Sequence, residues 1–61
     1  MSMMYKQQVL NLTETMAGKL RIIEGAASGA MNLSHAEILQ IIKDAQKVNE
    51  RIHELITIER E

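Results

Sequence analysis

The stretch that decides the fold runs Leu33-Ser34-His35-Ala36-Glu37-Ile38-Leu39-Gln40-Ile41-Ile42, and continues Lys43-Asp44-Ala45-Gln46-Lys47-Val48-Asn49-Glu50-Arg51-Ile52-His53-Glu54-Leu55-Ile56. Its apolar positions recur three and four residues apart, the period of a helix and not the period of two that a strand requires. In heptad terms Ile38, Ala45 and Ile52 take the a positions, and Ile41, Val48 and Leu55 take d. Ile42, Asn49 and Ile56 take e, so the apolar stripe is wider than a bare two-stranded coiled coil needs and suits a helical bundle. The start is also written in the sequence. Ser34 and Glu37 stand at the two ends of a capping box, with Leu33 and Ile38 at the positions of a hydrophobic staple. A helix is expected over about 35–59.

Upstream, Tyr5, Val9, Leu12, Met16, Leu20, Ile23, Ala27 and Ala30 also recur at three and four. They predict a first helix over about 3–28. Gly29 or Asn32 is placed to take the left-handed conformation that ends it. A turn over about 29–34 makes the helices antiparallel neighbours. The expected fold is all-α: one helical-hairpin domain over 1–61, assembling into a four-helix bundle.

Composition explains why assembly is expected. The chain has 61 residues, no cysteine, no proline and one aromatic residue, Tyr5. A chain this short buries only about 60% of the surface its unfolded form exposes, so a lone monomer is marginal. Disulfide staples are excluded, and His35 and His53 alone do not make a structural zinc site. Self-association, as a homodimer or tetramer, or a partner chain of another protein is the remaining common route. The residues expected to form the interface are Val9, Leu12, Met16, Leu20 and Ile23 from the first helix. From the second they are Ile38, Ile41, Ile42, Ala45, Val48, Asn49, Ile52, Leu55 and Ile56.

Chemistry-bearing patterns are sparse. Glu50-Arg51-Ile52-His53 has the Glu-x-x-His spacing of di-iron helical bundles, with Glu14 and Glu24 as conceivable further ligands. Helical geometry turns it away from the core: Glu50 lies roughly 150° and His53 roughly 90° from the apolar seam. His35 stands in the first turn of its helix, where a positive charge opposes the dipole. No catalytic, cofactor or metal site is expected, and no enzymatic activity.

Lys43, Lys47 and Arg51 form a basic ridge at i, i+4, i+8, the one feature suited to nucleic-acid phosphates. Asp44, Glu50 and Glu54 are interleaved with it at pairing distance, and the net charge is −1, which favours a solvated face over a nucleic-acid partner. Gly18, Gly25 and Gly29 fall on one side of the first helix beside Ile22 and define a candidate docking groove. Leu10, Leu39 and Ile58, with Met3 and Met4, sit off the apolar seams and point to surface beyond the dimer core.

No stretch is long and apolar enough to span a bilayer, and the start lacks a signal-peptide pattern. The cytoplasm is expected, which makes the sequons at Asn11 and Asn32 accidental. The chain shares its length, its turn and its Ser-x-x-Glu cap with plasmid RNA-binding hairpins, small type III secretion chaperones and sporulation phosphatase hairpins. It lacks the Ser-Gln-Glu-Leu-Asp signature of the last, and no family is assigned. The reading is a non-enzymatic interaction, adaptor or regulatory module in the style of a bacterial or bacteriophage accessory protein. The alternatives are a small RNA- or DNA-binding bundle dimer, and half of a hetero-complex such as a secretion-type chaperone.

Overall fold

The computed structural model describes residues 4–60, and for residue 60 only the backbone. Helix α1 spans Lys6–Ala27 and helix α2 spans His35–Arg60. They pack antiparallel as a helical hairpin, and no strand occurs among the described residues. The first residue of the expected α1, Met3, lies outside the described residues. Met4 and Tyr5 form a turn ahead of the helix. Tyr5 caps α1 with no side-chain bond of its own. Its amide instead donates to Oε1 of Glu59 at 2.7 Å.

The turn is built as the sequence chemistry requires. Gly29 has φ +83°, a left-handed conformation that a Cβ would strain. Its amide donates to the Ala26 carbonyl, and the Met31 amide donates to the Gly25 carbonyl. These bonds satisfy carbonyls that the end of α1 would otherwise leave unpaired. At the start of α2 the capping box closes in both directions. The Ser34 amide donates to Glu37 Oε1 at 2.9 Å, and the Glu37 amide donates to Ser34 Oγ at 3.1 Å.

Along α2 the a and d positions face α1: Ala45 and Leu55 are buried, and Ile38, Ile41, Val48 and Ile52 are half-buried. On α1 the contact line is Tyr5, Val9, Leu12, Met16, Lys19, Ile23 and Ala26, all half-buried. This departs from the apolar stripe at two places. Leu20 and Ala27 fall one residue outside the line, and Leu20 is 55% exposed. Two helices that stay in contact over their whole length follow a period of 3.5, so the line runs 4-3-4-3-4-3 whatever residue that selects. Lys19 therefore falls on this line and is half-buried, a place its long side chain permits.

The hairpin is a rod of 44 × 16 × 12 Å with a radius of gyration of 14.1 Å. A compact domain of this length has a radius near about 10 Å. Its accessible surface is 4866 Å², several hundred Å² above the roughly 4,000 Å² typical of a folded monomer of this mass. One two-helix seam leaves much apolar surface uncovered. Where that surface lies is the functional question.

Candidate interaction surface

Heptad positions locate it. With Val9, Met16 and Ile23 at a and Tyr5, Leu12, Lys19 and Ala26 at d, the antiparallel pairing sets e opposite e on one flank and g opposite g on the other. The e and b positions of α1 include Leu10 and Leu20, and those of α2 include Leu39, Ile42 and Ile56. All five are exposed. Between the helices on this flank runs an open groove of about 420 Å³, lined by Met16, Leu20 and Ile23 on one side and by Ile42, Ala45, Gln46 and Asn49 on the other.

The opposite flank is polar. A shallow depression there is lined by Gln8, Asn11, Leu12 and Arg51. Asp44 accepts a hydrogen bond from Gln40 Nε2 at 3.0 Å, and Arg51 pairs with Glu54 at 3.2 Å. Ile22 and Ile58 are large apolar side chains exposed on this side. The hairpin is thus amphipathic a second time: each helix buries one stripe against the other, and the pair presents an apolar flank and a polar one.

The remaining candidate features do not come together. Gly18, Gly25 and Gly29 do not form one open groove. Gly29 is committed to the turn, and the Met31 side chain covers Gly25, with Sδ 2.9 Å from where a Cβ would stand. Gly18 has nothing within 4 Å of that position. Lys43, Lys47 and Arg51 are all exposed, and Arg51 is engaged with Glu54. Glu14, Glu24, Glu50 and His53 are exposed, and among the described residues no three His, Asp or Glu side chains gather in a metal-holding group. Glu37 has its carboxyl held below the usual glutamate range, first by the Ser34 amide and then by the Ser34 hydroxyl. That shift belongs to helix capping.

Leu10 and Leu39 stand out in the sequence as apolar residues away from the seams, and periodicity alone does not join them to Leu20, Ile42 and Ile56. The missing information was the register of α1 against α2, which puts all five on one side. Among the described residues no helix is long and apolar enough to cross a membrane. The chain matches no protein-family model, no curated protein and no solved structure.

Proposed function

We propose that the chain is a non-enzymatic helical-hairpin module that self-associates into a four-helix bundle and acts by binding another protein. One observation supports this reading: Leu10, Leu20, Leu39, Ile42 and Ile56 are all exposed on one flank of the hairpin, and Leu20 and Ile42 line one groove between the helices there. Several large apolar side chains exposed on one side of so small a body mark an interaction site. Two hairpins facing each other by this flank cover it on both, as homodimers of this kind require.

The absence of catalysis belongs to the proposal. Its support is that Glu14, Glu24, Glu50 and His53 are exposed and, among the described residues, join no group of three such side chains. A cytoplasmic setting belongs to it as well, because a chain with no cysteine needs no oxidising compartment to fold. Light scattering on the purified chain tests the association. A mass of twice 6.9 kDa, or four times, supports it. A folded, helical monomer at high concentration overturns it, and a mostly unstructured monomer points to a different protein as the second half of the bundle.

A further inference from the structure

This flank carries two rows of side chains, one per helix, and each row is complementary to itself when reversed, except where Ile42 meets His53. On α2 the row is Leu39, Ile42, Gln46, Asn49, His53 and Ile56. Its midpoint lies between Gln46 and Asn49. Reversal about that point sets Leu39 on Ile56, Ile42 on His53 and Gln46 on Asn49. On α1 the row is Lys6, Leu10, Thr13, Ala17, Leu20 and Glu24, with its midpoint at Thr15. Reversal sets Lys6 on Glu24, Leu10 on Leu20 and Thr13 on Ala17.

The two midpoints stand at the same height along the rod. The hairpin register is fixed by Tyr5 bonding Glu59 at the open end and by Leu20 beside Ile42 across the groove. Leu12 lies beside Arg51 on the other flank. Thr15 therefore stands level with the centre of the α2 row. A single two-fold axis, lying in the flank and perpendicular to the rod, serves both rows at once.

We infer that the flank is occupied by a second copy of this chain, laid antiparallel about that axis, with Gln46 of each copy against Asn49 of the other and Lys6 of each against Glu24 of the other. This rests on the self-association proposed above and specifies its face and direction. The reverse choice, with both turns at one end, sets α1 on α2 of the second copy at equal height. It would bring Glu24 against Leu39 and Lys6 against Ile56, leaving charges on apolar partners. The antiparallel choice leaves none, and its central amide pair is the kind of polar contact that fixes register. A net charge of −1 per copy opposes the pairing little.

The test uses charge reversal and distance together. Lys6→Glu alone and Glu24→Lys alone each create two like-charge contacts per homodimer, and each is expected to weaken association by roughly tenfold at low salt. Mixed in equal amounts, the two variants restore both pairs and should form heterodimers at near wild-type affinity. Lys6 and Glu24 lie about 27 Å apart along one helix, so no pairing within a chain produces this rescue. A spin label at His35→Cys, on the otherwise cysteine-free chain, gives the direction. The antiparallel pair separates the two labels by about 37 Å along the axis. With both turns at one end they would lie within about 20 Å, given helix axes about 10 Å apart. A dimer with short label distances, or one indifferent to both reversals, overturns the antiparallel flank pairing while leaving self-association standing. A helical monomer overturns both.

Discussion

The Tyr5 amide donates a 2.7 Å hydrogen bond to Oε1 of Glu59, joining residues 54 positions apart at the open end of the hairpin. The first amides of a helix have no partner within it, and an anion there also meets the positive end of the helix dipole. Glu59 thus supplies from α2 the cap that α1 does not provide for itself. It ties the one end that the turn leaves free.

Removing that carboxylate should fray this end. Glu59→Ala is expected to lower stability by about 1 kcal/mol and to speed hydrogen exchange at the amides of the first turn of α1. Glu59→Gln keeps an acceptor oxygen and should recover most of the protection. Unchanged exchange in Glu59→Ala would show that the clasp does not hold the end.

The capping box of α2 makes a separate, pH-dependent prediction. Ser34→Ala should cost about 1 kcal/mol. Glu37 has a folded pKa below the ordinary value of 4.5, so its contribution is present above that value and is lost as pH falls through the lower, folded one. Thermal melts from pH 7 down to about 3 should show wild type losing more stability than Glu37→Gln, with the difference confined to the acid end. Parallel curves would contradict the cap's electrostatic part.

Two glycines on α1 should answer to alanine differently. Gly18→Ala meets nothing within 4 Å and should stabilise α1 by up to about 1 kcal/mol. Gly25→Ala sets a methyl 2.9 Å from Met31 Sδ, so Met31 must shift and most of the gain is lost. The double variant Gly25→Ala, Met31→Ala should recover the helix propensity gain while giving up the Met31 packing. Equal stabilisation by Gly18→Ala and Gly25→Ala in otherwise wild-type chains would show that Met31 does not rest on the helix there.

The seam and the flank should separate on mutation. Leu55 is 1% exposed, and Leu55→Ala should cost about 2–5 kcal/mol, enough to abolish helix in so small a chain. Leu39→Gln removes no contact across the seam of one hairpin. It should reduce association while strongly helical samples persist at high concentration. Circular dichroism with light scattering on both variants distinguishes the two outcomes. Equal loss of helix in both would merge seam and flank into one surface.

Much of this architecture is legible in the residues. Ser34 and Glu37 announce the start of α2, and Ile38, Ile41, Ala45, Val48, Ile52 and Leu55 its inward face, because capping and periodicity are local properties. Gly29 announces the turn for the same reason. The face of α1 is less legible. Hydrophobicity alone selects Leu20 and Ala27, whereas sustained contact with α2 selects Lys19 and Ala26. The choice is made by the 3.5-residue pairing period and not by the side chain. The Tyr5–Glu59 bond and the seating of Met31 on Gly25 depend on where the chain returns, which no short window of sequence contains. The apolar flank needs both kinds of information: exposed leucines and isoleucines are visible singly, and their common side appears only when the helices are in register.

The most direct measurement is sedimentation equilibrium over a hundredfold range of concentration, with circular dichroism on the same samples. We predict a helical dimer or tetramer that loses helix as it dissociates on dilution, because covering the apolar flank and stabilising the hairpin are one event. A chain that remains a fully helical monomer across the whole range would contradict it.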